Sequence, residues 1–149
     1  MKKQKRIWIS LLLSCILIIF LLSGCSGVIE PKTAKINVFF NPNPVPYSSE
    51  TGEWLFNLIL SESNGIGVTL TSLRFDSYNQ QEQLFFVQIL YEEDIIGWFG
   101  SNYLSAFSAL QASIYHTSTV LKYDILTVEG VDDNNNPIEA TGRVDYLPK

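Results

Sequence analysis

Trp54-Leu55-Phe56-Asn57-Leu58-Ile59-Leu60-Ser61, leading through Glu62 into Ser63-Asn64-Gly65-Ile66-Gly67 and then Val68-Thr69-Leu70, decides the fold class. Trp54, Phe56, Leu58 and Leu60 fall on every second residue, so one face of an extended chain is apolar, while Asn57 and Ser61 lie on the other. That period of two belongs to a half-buried β-strand; an amphipathic helix repeats its apolar positions every three to four residues. Gly65 and Gly67 then supply the positive φ that a reversal needs. A strand, a turn and a second strand are therefore expected over residues 54–70.

The pattern continues in both directions. Upstream, Ile36, Val38 and Phe40 alternate with Lys35, Asn37 and Phe39. Asn41-Pro42-Asn43-Pro44-Val45-Pro46 stops that strand, because proline cannot donate to a ladder. Downstream, Val68 to Phe75 reads as a third strand closed by Asp76-Ser77-Tyr78-Asn79. Leu84 to Tyr91 reads as a fourth, almost wholly apolar and so expected at the centre of a sheet, bounded by Glu92-Glu93-Asp94.

Ile95 to Ile114 admits two readings. Tyr103, Phe107, Leu110 and Ile114 have helical spacing, with Asn102 as N-cap. Leu110, Ala112 and Ile114 equally fit a strand after a turn at Ser105-Ala106-Phe107-Ser108, and the β-branched and serine residues that thicken towards Thr119 favour the strand. The end of the chain is a hairpin. Tyr123, Ile125 and Thr127 oppose Asp124, Leu126 and Val128; a loop, Asp132-Asp133-Asn134-Asn135-Asn136, follows; then Ile138, Ala140, Val144 and Tyr146 alternate with Glu139, Thr141, Arg143 and Asp145. About seven strands without internal repeat make an all-β domain, an immunoglobulin-like sandwich.

The stretch from Trp54 to Leu70 resembles the second and third strands of immunoglobulin-like domains in bacterial surface proteins. Val128-Glu129-Gly130-Val131-Asp132-Asp133-Asn134-Asn135-Asn136 is similar to the Gly-x-Asp-Asp-x-Gly-Asn hairpin of those domains, departing from it at Asn135, where glycine is usual. Asparagine takes the left-handed conformation at modest cost. The resemblance is diffuse, covers most of the chain after the leader and implies a fold; no catalytic residues come with it.

The amino terminus carries a separate message. Lys2, Lys3, Lys5 and Arg6 precede an apolar run from Ile7 to Leu22, broken only by Ser10, Ser14 and Cys15, and Ser23-Gly24-Cys25 follows. Positive flank, short apolar core and small residues at a cleavage point are the order of a secretory signal peptide. The run falls short of the roughly 20 residues a membrane-spanning helix needs. Leu22-Ser23-Gly24-Cys25 resembles the lipobox of bacterial lipoproteins. The resemblance implies cleavage between Gly24 and Cys25, a diacylglyceryl thioether on Cys25, and possible acylation of the new amino terminus. Two or three acyl chains make a stable anchor where one is marginal. The expected organisation is a signal peptide over 1–24, a lipidated tether over 25–33 and a β-sandwich over 34–149. Its expected address is the cell membrane or outer membrane, facing the extracytoplasmic side.

Charge and cysteine count exclude several functions. The chain has 10 basic and 15 acidic residues. Removing residues 1–24 takes away four basic residues and no acidic one, leaving a net charge of −9. Such a domain is no partner for nucleic acid, whose phosphates need a basic face. Cys15 lies in the leader and Cys25 takes the lipid, so no disulfide, thiol nucleophile or cysteine-ligated zinc is expected after residue 25.

Chemistry-bearing clusters are sparse. His116 is the only histidine and reads as a surface residue at a strand end. A Ser-His-Asp arrangement would have to join it to Asp124 and a serine, without any Gly-x-Ser-x-Gly elbow. Glu92-Glu93-Asp94 and Asp132-Asp133 are adjacent acids, which point to opposite faces of a strand or into water at a turn. Asp132, Asp133, Asn134 and Asn136 carry oxygens of the kind calcium accepts, at a spacing unlike an EF-hand and equally explained by turn chemistry. Trp98, Phe99 and Tyr103, beside Gly97 and Gly100, are candidates for ligand binding, as a sugar platform or a partner grip, or else plug one end of the core. No catalytic residue, metal site or cofactor is expected. The expected function is a non-catalytic binding or structural module whose partners are the membrane, through Cys25, and a protein or polysaccharide of the cell envelope. The alternatives are a carbohydrate-binding module around Trp98 and, more remotely, a hydrolase.

Overall fold

The computed structural model describes residues 32–148 apart from residue 119. The signal segment, Cys25 and the tether through residue 31 lie outside the described residues.

Two antiparallel sheets form the domain. In the first, β1 (Ile36–Asn41) and β2 (Tyr47–Ser48) follow one another along one side of β3 (Glu53–Glu62), and β7 (Ala109–His116) pairs along the other. The second has the order β5 (Leu84–Tyr91), β4 (Val68–Asn79), β8 (Leu121–Asp132), β9 (Pro137–Asp145), with β6 (Tyr103–Leu104) beside the start of β4. Seven long strands in two sheets, with the chain crossing between them after β3, after β6 and again after β7, give the immunoglobulin-like topology expected from the sequence.

The alternation read at Trp54–Leu60 builds the core. Trp54, Phe56, Leu58 and Leu60 are each at most 1 % exposed, and they meet Leu70, Leu73, Phe75, Leu126 and Val128 of the second sheet. Burying four such side chains contributes about 1.5–3 kcal/mol each before entropy is counted. The two sheets approach most closely between β1 and β9, where a Cβ on Gly142 would stand 2.5 Å from Val38 Cγ1. On the opposite side β5 and β7 border the gap between the sheets.

The structure corrects three expectations. β4 runs on through Asp76–Asn79, and the reversal falls on Gln80–Gln83, where Asn79 Oδ1 accepts the Gln81 and Gln83 amides. β5 is an edge strand, paired with β4 alone, and Leu84–Val87, Ile89 and Tyr91 are exposed. Its uniform apolarity reads as a centre position because a local sequence does not say whether a second strand lies alongside. Finally, Glu92-Glu93-Asp94 does more than bound a strand: it is the first turn of α1 (Glu92–Phe99). The Tyr91 amide donates to Asp94 Oδ2 at 3.2 Å, the three acids face the positive end of the helix dipole, and Gly100 ends the helix at φ 76°. Of the two readings of 101–114, the turn at Ala106–Phe107 followed by strand β7 is the one observed.

Candidate functional site

The open side of the sandwich holds a cleft of about 500 Å³. Trp98 and Gly97 of α1 close one end, Phe86 and Gln88 of β5 form one wall, and Ser113–His116 of β7 form the other over a floor of Phe75. A neighbouring recess shares Phe86, Tyr115 and His116 and reaches Ser77. The volume lies in the range of small-molecule sites, and aromatic rings share the lining with polar groups.

The cleft exists because of strand parity. Phe86, Gln88 and Leu90 face inward on β5 opposite Ser77, Phe75 and Leu73. On β7 the same period that buries Ala112 and Ile114 turns His116 inward. Its Nε2 lies 3.2 Å from Oδ2 of Asp124, which is fully buried on β8 beside Leu126 and Val128. That same oxygen accepts the Tyr146 hydroxyl at 2.6 Å. The His116 ring stacks on Phe56 and meets Tyr146 edge-on. Burial, and then the adjacent Asp124 carboxylate, push ionisation of Tyr146 far up, so it stays a donor. The cluster ties the two sheets together and presents an imidazole at the cleft.

His116 is thus a partly buried member of a polar cluster, where the sequence reading placed it at the surface. The signal was present: the parity of Leu110, Ala112 and Ile114 continues to residue 116, and that of Leu126 and Val128 runs back to Asp124. The structure joins His116 to Asp124 but aligns no serine with them among the described residues. Ser113 Oγ donates to Asn57 Oδ1 at 2.8 Å, and Ser77 Oγ is buried without a hydrogen-bond partner. A nucleophile needs to lie within hydrogen-bond reach of its base.

The three sequence-selected aromatics separate. Trp98 is half-buried, lies 6.0 Å from the Phe75 ring and lines the cleft. Phe99 packs against the core. Tyr103 is exposed opposite Thr69, and its hydroxyl donates to Asp133 Oδ2 at 3.0 Å. Thr69 is six strand residues from Phe75, about 20 Å, so Tyr103 takes no part in the cleft. Phe86, Tyr115 and His116 are the residues the sequence reading missed.

The Asp132–Asn136 loop uses its oxygens internally. Asp132 accepts the amides of Ala34, Asn134 and Asn136 and the Asn136 side chain. Desolvation opposes its ionisation, but these donors outweigh it and hold the carboxyl below its ordinary range. No group of three or more metal-ligating side chains occurs among the described residues. The carboxylates of Glu92, Glu93 and Asp94 lie exposed at the start of α1, and Asp133 at the hairpin turn.

No family model matches the sequence, and no curated protein is similar to it. Among solved structures, the chain is similar to an ApaA protein from Bordetella pertussis, with TM-score 0.48 and 11 % identity, covering 81 % of this chain and 99 % of that one. It is also similar to the CARDB domain of a Pyrococcus furiosus protein in complex with di-metal ions, with TM-score 0.42 and 14 % identity, covering 79 % and 97 %. These are similarities of shape and say nothing of what this chain binds.

Proposed function

We propose that this chain is a lipid-anchored, extracytoplasmic, non-catalytic binding module whose ligand enters the open-side cleft. The observation that carries the binding reading is the cleft itself: Phe86 and Trp98 as aromatic walls over Phe75, the β7 edge from Ser113 to His116, and Gln88 and His116 as polar contacts. The anchor rests on Leu22-Ser23-Gly24-Cys25 and its basic, apolar lead-in. The two fit together spatially. The Lys32 and Thr33 carbonyls accept the side chains of Asn134 and Asn64, so the chain joins the sandwich at the Glu62 and Asp132 end. His116 stands at the other end of β7, seven strand residues from Ala109, about 23 Å away. The cleft therefore lies on the half of the domain far from Lys32, where the described chain begins.

A carbohydrate ligand is the second reading. Trp98 and Phe86 offer faces for the apolar side of a sugar ring, and Gln88 and His116 offer partners for its hydroxyls.

Two measurements test the proposal separately. Cys25→Ala should abolish lipid labelling and processing of the full chain; labelled lipid on that variant refutes the anchor. A photo-crosslinking residue at Gly97, where an added Cβ meets open space, should capture an envelope component that the same residue at Glu139, on the far edge, does not, and Trp98→Ala should weaken the capture. Equal capture at both positions refutes the cleft. The chemistry of the adduct, protein or glycan, decides between the two readings.

A further inference from the structure

The outer edge of the second sheet goes beyond the cleft. β5 reads Leu-Phe-Phe-Val-Gln-Ile-Leu-Tyr, without a charge, a proline or a glycine. It pairs with β4 alone. Of the devices that keep edge strands apart, this strand lacks a lysine, a proline and an inward charge, and its one irregularity is the bulge at Phe85 near its start. The opposite edge differs: β9 starts at Pro137 and carries Glu139, Arg143 and Asp145.

The open side of β5 can be assigned from its hydrogen bonds. The Tyr91 amide donates to Asp94, so it does not point at β4. Alternation then turns the backbone groups of Ile89 and Val87 outward as well, next to side chains that are themselves exposed. Leu84, Phe85, Phe86, Val87, Ile89 and Tyr91 are each between 39 and 63 % exposed. Phe85, Val87, Ile89 and Tyr91 alone, outside the cleft, present roughly 350 Å² of surface, close to half of the roughly 800 Å² per partner that a stable interface buries, before the strand backbone is added.

We infer that β5 is a self-association edge: a second copy of this chain pairs antiparallel along it about a two-fold axis at Gln88. Only outward-facing residues can exchange hydrogen bonds across the new ladder, which sets Val87 against the partner's Ile89 and Gln88 against its own copy. Phe85 then faces the partner's Tyr91. From Phe85 to Tyr91 every apolar side chain meets an apolar one, no like charges oppose, and the two Gln88 amides can bond to each other. An antiparallel strand paired with itself is isologous, so the assembly closes at two copies. It joins the two five-stranded second sheets into one of ten strands and brings the two clefts side by side.

The mass of the detergent-solubilised full chain is the first test. It should correspond to two chains, and Val87→Lys with Ile89→Lys should reduce it to one without changing the thermal unfolding transition. A wild-type mass of one chain at tens of micromolar protein, as expected if β5 instead awaits a strand from another protein, overturns the inference. So does a two-chain mass that survives both lysines. The second test is independent of folding losses. At Gln88 the two Cα atoms should stand about 4.5 Å apart, within disulfide reach. In a full chain carrying Cys15→Ser and Cys25→Ser, Gln88→Cys should give about tenfold more covalent dimer than Gln111→Cys on the β7 edge. Equal yields refute the register. The lysine pair leaves Cys25 and Trp98 in place, and the cysteine variants are read as covalent dimer alone, so a failure here is distinguishable from a failure of the anchor or of the cleft.

Discussion

At the scale of single residues, the positions that hold the sandwich together are acids. Glu62 is buried at the end of β3, and its carboxylate accepts four backbone amides. Lys35 at 3.2 Å and Asn64 at 2.6 Å bond Oε1; Gly65 at 2.7 Å and Phe107 at 3.1 Å bond Oε2. One side chain thereby joins the start of β1, the β3–β4 turn and the turn before β7. Desolvation opposes ionisation, but the four donors prevail and bring the carboxyl from 4.5 down to about 2. A folded-state value below the unfolded one gives stability that is complete above pH 4.5 and lost as pH falls towards 2. Glu62→Gln should cost about 1.5–3 kcal/mol at neutral pH, because an amide nitrogen then faces amide donors. In urea titrations at pH 7 and pH 3 the gap between wild type and variant should narrow at the lower pH; a constant gap would show that the charge is irrelevant. The sequence placed Glu62 merely beside a turn. Its burial was hidden because acids are seldom buried and the donors come from three separate segments.

Elements show the same division. The alternation in β3 and β7 was legible, since parity is written into consecutive residues. Asn135 takes φ 62° in the β8–β9 hairpin, as its position one residue before the end of the turn suggested. Where two strands press together, however, side-chain size is set by the neighbour. A Cβ at Gly130 of β8 would stand 2.6 Å from the Thr69 carbonyl oxygen of β4, beside the irregularity between Leu70 and Ser72. Backbone cannot swing aside as a side chain can. Gly130→Ala should therefore destabilise the domain by about 1–3 kcal/mol, read from a chemical denaturation midpoint. Unchanged stability would mean that β4 and β8 shift apart freely there. α1 was missed because its apolar residues are too few for a helical period, and its capping depends on Tyr91 and Asp94 meeting at a strand end.

For the whole molecule, topology ranks the strands. β3, β4 and β8 are each paired on both sides, whereas β5, β7 and β9 each have a neighbour on one side within their sheet. Amide exchange should accordingly be slowest in β3, β4 and β8, with β2 and β6 fastest. Fast exchange in β8 would contradict the two-sheet order. Slow exchange at Val87 and Ile89 would require a partner strand along β5. By itself the sequence determined the fold class, the inward faces of β1, β3, β7 and β9, the hairpin loop and the acidic balance of the domain, because all of these follow from composition or from spacing along a short stretch of chain. Tertiary structure alone decided that an apolar strand lies at an edge, that His116 and Asp124 meet, and that Trp98 and Tyr103 part company. Those outcomes depend on which distant segments pair, and the pairing is fixed by burial of the whole core at once.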